Sequence, residues 1–377
     1  MKQRATSAFE KIFGAAPTVV SCAPGRLEII GNHTDYNEGT VLSVAVDRAM
    51  TIAAASAVNT TICKLHDDVI NDNRSFSIDA IGSAVPKDWS NYIKGVVLEF
   101  QKRGYSVPPF NAVLAGTVPL SAGMSSSAAL EMAMVKALEA LIGVDLNWLD
   151  EAKIGQAAEN NYVGAKTGLM DQVSSLRGKA GQLVCSDFRT MEVTNVPIPA
   201  ETSFVVANCM VKHNLTNEYN ERREACEEVA RILKVKALRD ITMEELIASK
   251  AKLNPVSYRR ALHVVGEIER VARGAEALAA GDIEKFGRIM FESHQSSIEN
   301  FENSIPELDE LVSIGRGLPG ALGARLSGGG FGGITVHLVR KEKAEEYMAQ
   351  LVKAYKAKTG ITAQAMICQA ADGAMLV

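Results

Sequence analysis

The run NAVLAGTVPLSAGMSSSAALEMAMVKALEALIG, residues 111–143, decides more about the fold than any other stretch. Its first eight residues, NAVLAGTV, read as a strand, and PLSAGMSSS reads as a loop. From Ala128 the apolar Leu130, Met134, Leu138 and Leu141 keep helical spacing until Gly143, a natural helix stop. Strand, loop of tiny side chains and helix in succession make an anion site. The first helical turn has unpaired N–H groups and about half a positive charge, so small residues before it let phosphate oxygens come close. Gly123, Met124, Ser125, Ser126, Ser127 and Ala128 are the candidate contacts, and one serine hydroxyl can face Mg²⁺. On the bare pattern the serines serve equally well as helix caps. A Walker A loop is excluded, because GxxxxGK[ST] requires a Lys that is absent.

Toward the N-terminus, TVVSCA (18–23) and VLSVAVDRAMTIAAAS (41–56) have strand character. Between them GRLEIIGNHTDYNEG (25–39) reads as an elaborate polar loop. Toward the C-terminus, a second helix runs from an Asn147 cap to about Val163, stopped by Gly164, and a third begins after Thr167 or Gly168. Glu159 then falls late on the second helix, and Asp171 in the first turn of the third, where the helix dipole favours an ionised carboxylate. Isolated acids are usually solvated or capping groups. Yet GLMDQ (168–172) sets Asp171 among apolar neighbours behind a glycine, which points to an interior cleft, and Arg26 is the candidate to neutralise it. A carboxylate and an arginine converging beside a phosphate loop suit phosphoryl transfer, where positioning and charge neutralisation carry most of the catalysis.

The Pro-bearing NVPIPAE (195–201) is the one convincing seam and divides the chain into residues 1–196 and 197–377. Beyond it come a strand (Phe204 to Ala207), a charged helix (about Glu218 to Leu233), further helices to about 300, the cluster GGGFGG (328–333), strand ITVHLV, and an amphipathic helix over about 341–357. GGGFGG formally satisfies GxGxxG, but a strand follows it where a dinucleotide fingerprint needs a helix. What remains is a glycine turn, either approaching a ligand or purely structural.

Composition sets the frame. A chain of 377 residues that is 47% hydrophobic has ample core for two domains and is not disordered. With 40 Lys+Arg against 44 Asp+Glu, the net charge of −4 offers no footprint for nucleic acid and no polybasic membrane patch, so small-molecule partners are expected. Six cysteines form no CxxC pair, which argues against zinc and against a disulfide framework. Glu10 and Lys11 interrupt any apolar leader, and no stretch reaches ~18 uncharged apolar residues. A cytoplasmic enzyme is the expectation.

The order of the motifs resembles the galactokinases, members of the GHMP small-molecule kinases. APGRLEIIGNHTDYNEG (23–39) is similar to the galactokinase signature, PLSAGMSSSAALE (119–131) to the second GHMP motif and ARLSGGGFGGITV (324–336) to the third; WSNYIKGV (89–96), GLMDQ and NEYNERREACE (217–227) match in order and approximate spacing. The resemblance covers nearly the whole chain. It implies an α/β (α+β) two-lobed fold, with a mixed-sheet N-terminal lobe, a ferredoxin-like C-terminal lobe and the active site in the cleft. It further implies that Ser125, Ser126 and Ser127 with the following helix bind ATP phosphates, that Ser127 and Glu159 hold Mg²⁺, and that Asp171 orients or deprotonates a sugar C1 hydroxyl beside Arg26. Asn32, His33, Asp35, Gly168 and Tyr219 fall at sugar-contacting positions, and Glu28 beside them. Trp89 and Tyr92 border the adenine or pack in the core, and His33 also fits a structural histidine.

One departure bears on the substrate. Galactokinases usually read GRxNxIGEHTDY, whereas here the Asn position is Glu28 and the Glu position is Asn32. Four residues apart, the two can still bond to each other, but an amide in place of a carboxylate would change what the sugar meets. A lesser departure is HQSSIENF (294–301), where the family tends to have Arg and Asp after the Ser. The expectation is therefore a sugar 1-kinase using ATP and Mg²⁺, monomer or weak homodimer, with galactose as substrate. A kinase for a different sugar and a non-catalytic sugar sensor are the alternatives. Intact Ser127, Glu159 and Asp171 speak against the sensor, and the missing helix after GGGFGG against a nicotinamide dehydrogenase.

Overall fold

A bulged strand organises the molecule. In the computed structural model, which describes residues 1–119, 123–165, 167–211 and 216–377, β1 (Val19–Ile30) does not end at Ala23. The GRLEII half of the expected loop continues the strand, and the turn starts only at Gly31. Pro24, Gly25 and two charged residues read as loop punctuation, yet Leu27, Ile29 and Ile30 are fully buried and hold the segment in the sheet. Pairing with β2 (Thr40–Ser56) runs from Val19↔Ala54 to Ile30↔Leu42, with register shifts at Pro24/Arg26 and Glu28/Ile30. Such bulges re-aim side chains and are common beside active sites. Arg26 and Glu28 lie between the two shifts, on strand rather than loop.

Strands β3 (Ile62–Asp67), β4 (Asp72–Ser77), β5 (Phe110–Gly116), β6 (Gln182–Asp187) and β7 (Val193–Pro197) extend this first sheet. A second sheet holds β8 (Thr202–Asn208), β9 (Ala321–Ser327), β10 (Ile334–Arg340) and β11 (Gln364–Cys368), and a short β12 (Met375–Leu376) returns to β1. Among the described residues the first sheet runs β12-β1-β2-β5-β3-β4, with β6 on β2 and β7 on β6. The β3–β5 pair is parallel, so that sheet is mixed. The second is antiparallel in the order β11-β8-β10-β9. With helices crossing from β8 to β9 and from β10 to β11, this is the ferredoxin-like arrangement.

Among the described residues five helices serve the first sheet: α1 (Lys2–Phe13), α2 (Ser90–Lys102), α3 (Ser126–Ile142), α4 (Trp148–Ala157) and α5 (Met170–Arg177). Six more belong to the second half: α6 (Thr216–Leu233), α7 (Met243–Ala248), α8 (Pro255–Ala279), α9 (Ile283–Ser296), α10 (Pro306–Arg316) and α11 (Ala344–Thr359). Helix α3 buries Ala129, Ala133, Met134, Ala137 and Leu138, and its alanines let the axis approach the sheet, where Ser21 Oγ donates to the Ala133 carbonyl at 2.7 Å. The Asn147 cap forms as expected, accepting from Leu149 and Asp150 N–H. The helix does not run straight to Val163, however, because Ala158–Val163 winds as a π-turn that carries Glu159. Helix α1, which the sequence reading left unassigned, packs Ala5 and Phe9 on Val113 and Ala115 of β5.

Alternation along β8 divides its faces. Val205 and Ala207 pack with Leu311, Tyr347, Leu351 and Tyr355 of α10 and α11. Phe204 and Val206 instead join Phe286 and Met290 of α9 in the large cluster that includes Leu27, Ile30 and Leu42 of the first sheet. The two sheets thus share one apolar core, and the cleft opens beyond its end.

Candidate active site

Arg26, only 6% exposed, is the hub. Its Nε and Nη2 donate to Asp171 Oδ1 and Oδ2, both at 2.7 Å, and its Nη1 donates to the Gly123 carbonyl at 2.7 Å. This fork-on-fork geometry is the strong form of an ion pair. Burial opposes the guanidinium charge, but Asp171, with Glu28 and Glu159 behind it, outweighs that and raises the Arg26 pKa. Asp171 also accepts from Ser125 Oγ at 2.6 Å. Ser125 is the N-cap of α3 in the left-handed region (φ 52°), and its hydroxyl turns to Asp171 instead of capping the helix. Its side chain therefore leaves the donors at the start of α3 uncapped. The Leu120, Ser121 and Ala122 part of the expected phosphate loop lies outside the described residues.

Two cavities meet at this pair. The first, about 510 Å³, is lined by Glu28, Asn32, His33, Asp35, Gly168 and Tyr219 together with Arg26, Asp171, Gly328 and Gly329. The second, about 590 Å³, is lined by Trp89, Tyr92, Gly123 and Ser125–Ser127 on one side and by Gly328–Ile334 on the other, and it shares Arg26, Asp171, Gly328 and Gly329 with the first. Both have the size of small-molecule sites.

In the first cavity, His33 Nε2 faces the Gly329 carbonyl at 3.2 Å and Nδ1 faces the Tyr36 hydroxyl at 2.9 Å. A carbonyl only accepts, so Nε2 carries the proton and Nδ1 accepts from Tyr36. Burial pushes the His33 pKa down to about 4, so the ring is neutral near pH 7. Its backbone is left-handed (φ 61°), a strained state for histidine, and its ring packs between Tyr219 and Phe301. Phe301 closes the HQSSIENF segment, so that departure from the family pattern lies directly behind the cavity. Asp35 is pushed up to about 7 by burial, opposed by the Tyr36 N–H and reinforced by the charges of Glu28 and Asp171. Gly168 lies so close to Asp35 that a Cβ there would overlap the Asp35 carboxylate.

Glu28 and Asn32 do bond to each other, Asn32 Nδ2 donating to Glu28 Oε1 at 2.8 Å. Both donors of the Asn32 amide are used, since Nδ2 also donates to the Gly328 carbonyl at 2.8 Å, and Oδ1 accepts from Asn303 Nδ2 at 2.9 Å. Arg325 Nη1, from a fully buried side chain, donates to Glu28 Oε1 at 2.8 Å. Burial raises the Glu28 pKa and Arg325 pulls it back.

On the second cavity, Ser127 lines the wall, and the Glu159 carboxylate, whose pKa Ser127 helps to lower, is buried nearby. Glu159 Oε2 accepts from Thr167 Oγ1 at 2.9 Å and Gln172 Nε2 at 3.2 Å. Burial, then Asp171, raises its pKa. Trp89 Nε1 donates to Asp72 at 3.0 Å, leaving the indole face on the cavity. Met124 is the expected loop residue that turns away: it is buried, and its carbonyl accepts from Arg26 N–H at 3.0 Å. Ala128 is likewise buried at the start of α3.

Sequence reasoning missed several groups. Arg325 stood inside a quoted motif but drew no role, although a lone arginine in an apolar strand signals a buried partner. Glu267 accepts from the N–H groups of Gly31 and Asn32 at 2.9 and 3.0 Å and so fixes the turn after β1, and Asn303 holds both Asn32 and the Gly329 carbonyl. Neither carries a local signal, since both act from more than 200 residues away.

Comparison with known proteins agrees with this geometry. The galactokinase galactose-binding signature matches residues 7–56, the GHMP kinase N-terminal domain residues 91–179 and the GHMP kinase C-terminal domain residues 275–357. The chain is 40% identical to a galactokinase of Chloroflexus aggregans, covering 98% of this chain and 96% of that protein. It is 38% identical to a galactokinase of Roseiflexus sp., with 97% and 94% covered. Among solved structures, the Lactococcus lactis galactokinase complexed with galactose superposes with a TM-score of 0.92 at 28% identity, covering 98% of each chain. A mevalonate kinase at 18% identity and TM-score 0.68 shares the fold.

Proposed function

The chain belongs to the galactokinase family of GHMP kinases, and from that premise we propose that it transfers the γ-phosphoryl group of ATP to the C1 hydroxyl of galactose. The observation that carries this reading is the meeting of two cavities at the Arg26–Asp171 pair. Galactose occupies the first and ATP the second, so the reacting hydroxyl and the γ-phosphate come together at that junction.

Asp171 accepts the hydrogen bond of the C1 hydroxyl and takes its proton as the sugar oxygen bonds to the γ-phosphorus and the bond to the β–γ bridging oxygen breaks, releasing ADP. Arg26, anchored through Nη1 to Gly123, neutralises charge on the carboxylate and the transferring group. A loose phosphoryl transition state needs such positioning more than strong base catalysis. The first-turn N–H groups of α3 and the hydroxyls of Ser126 and Ser127 hold the phosphates, and Trp89 and Tyr92 flank the base of the nucleotide. Asp35, Tyr219 and the backbone at Gly168 hold the sugar hydroxyls, and His33, whose ring nitrogens bond to Gly329 and Tyr36, braces that wall.

Ser127 and Glu159 offer hard oxygen donors and fit Mg²⁺, which takes a few carboxylate or hydroxyl ligands and completes its shell with phosphates and water. Among the described residues no cluster of three His, Cys, Asp or Glu could hold a metal alone. Mg²⁺ bound there supplies charge neutralisation on the β- and γ-phosphates.

The lobes divide near residues 196 and 197 in this reading, and the last strand returns to the first lobe. Both cavities are built from one chain, so a monomer is catalytically complete. No described helix is long and apolar enough to cross a membrane, and the six cysteines are unpaired, which supports a cytoplasmic location. The deciding experiment is a coupled ADP assay with galactose, with phosphorus NMR to locate the new ester. Turnover giving galactose 1-phosphate is expected; absence of ADP release with galactose would overturn the proposal.

A further inference from the structure

Exchange of acid and amide at positions 28 and 32 leaves a question about which of them meets the substrate. The Asn32 amide has both donors committed, to Glu28 and Gly328, and its oxygen already accepts from Asn303, which leaves one lone pair. It has little left to offer a ligand. Glu28 is the converse case. Its Oε1 takes both Asn32 Nδ2 and Arg325 Nη1, whereas Oε2 bonds to no described group and is not among the sealed, partnerless atoms of the interior. Glu28 lines the first cavity, so Oε2 is open to it.

A purely structural partner for Arg325 would not need that opening. Arg325 has its own Nε and Nη2 without partners, and burying the second Glu28 oxygen against them would satisfy more groups. The arrangement instead spends one carboxylate oxygen on the scaffold and keeps the other for the cavity. Two donors on Oε1 fix the plane of the carboxyl group, and the Ser327 hydroxyl, accepting no more than its own position requires, holds the Glu28 N–H at 3.0 Å.

Location along the strand says which part of a sugar it meets. Arg26, Leu27 and Glu28 pair in unbroken register with Ala45, Val44 and Ser43, so Glu28 follows Arg26 on the same face at a distance of about 6.5 Å along β1. Arg26 grips Asp171, where the reacting hydroxyl lies. A hydroxyl reaching Glu28 is therefore on a different carbon of the ring, away from the one phosphorylated.

We infer that Glu28, and not Asn32, is the specificity-determining residue of this exchanged pair, its Oε2 accepting a hydrogen bond from a non-reacting hydroxyl of the sugar. The acidic acceptor has been kept and moved four residues up the chain. The inference rests on the galactokinase reading and deepens it. A site built to bond a hydroxyl rejects an analogue lacking it by as much as ~10⁴-fold.

The test uses the full chain, with kcat/KM measured for galactose and for its 2-, 3-, 4- and 6-deoxy analogues. Each galactose-to-deoxy ratio is compared between wild type, Glu28→Gln, the double variant Glu28→Gln/Arg325→Met, and Asn32→Ala. Wild type should disfavour one analogue strongly, and the Glu28 variants should reduce that single ratio at least tenfold while the other ratios hold. Asn32→Ala should lower all sugars together. The double variant removes the buried cation that Glu28→Gln alone would leave under-neutralised, so a folding failure of the single variant does not end the test. Unchanged ratios in the double variant would overturn the inference, as would a selective change in Asn32→Ala. Wild type that turns over no galactose at all would instead refute the functional reading beneath it.

Discussion

One methyl group at position 168 separates the sugar site from everything else in the protein. Gly168 has ordinary backbone angles, so alanine there is conformationally cheap and can even add ~0.4–1 kcal/mol by restricting the unfolded chain. The new Cβ, however, overlaps Asp35 Oδ2 and lies 2.7 Å from Asp35 Cγ, where ordinary contact begins at 3.4 Å. The Asp35 carboxylate must retreat by roughly 1 Å, and a displacement of that size from productive geometry costs ~10²-fold in rate. The assay is steady-state ADP release with galactose and ATP varied separately, beside a thermal melt. Expected is a drop of ~10²-fold in kcat/KM for galactose, KM for ATP within about twofold, and an unchanged or slightly higher Tm. Gly168→Ala with wild-type galactose kinetics would refute the placement of Asp35 and Gly168 at the sugar. A large fall in Tm would show that the glycine serves packing instead.

Asp171→Asn should cut ADP release ~10²–10⁴-fold with galactose while the protein still folds; near-normal turnover would remove Asp171 from its assigned part. The Asp35 pKa of about 7 gives a pH dependence with a definite sign. As pH climbs through that value the carboxylate ionises and accepts a sugar hydroxyl, so kcat/KM for galactose should rise there and Asp35→Asn should remove that limb. Between the ordinary 3.8 and about 7 the folded state keeps a proton the unfolded state has released, so urea stability should fall across that window in wild type and more shallowly in Asp35→Asn. Arg325→Met alone leaves Glu28 buried without its cation and should lose ~3–5 kcal/mol in urea denaturation. Galacturonate should be phosphorylated far more slowly than galactose, because among the described lining residues Glu28, Asp35 and Asp171 face one cation, Arg26; turnover comparable to galactose would contradict that charge layout.

Local chemistry was legible where one segment carries its own instructions. The Ser-rich turn before α3, the Asn147 cap and the glycine stops follow from a few adjacent residues, and the order of the motifs pointed to the fold and to Arg26, Asp171 and Ser127. Strand β1 was cut short because Pro24, Gly25, Arg26 and Glu28 imitate a loop, and only burial of Leu27, Ile29 and Ile30 against distant elements overrides them. The π-turn at Glu159 is a one-residue change in hydrogen-bond spacing with no signature in composition. The Glu28–Asn32 bond was foreseen from their separation of four. What was not foreseeable is that Gly328 would take the other N–H of the amide and Asn303 would bond its oxygen, since those contacts join residues 296 and 271 positions apart.

The reach of those contacts also bears on biosynthesis. Glu28 leaves the ribosome early, and its buried cation is made 297 residues later. Closing a loop of that length costs on the order of 5 kcal/mol in chain entropy, and until it closes the carboxylate has no reason to leave water. A nascent chain can assemble much of the first sheet, but the Glu28 wall of the first cavity waits for β9. Catalytic competence should therefore appear only after β9 has been made, and refolding should show apolar collapse well before any recovery of sugar binding.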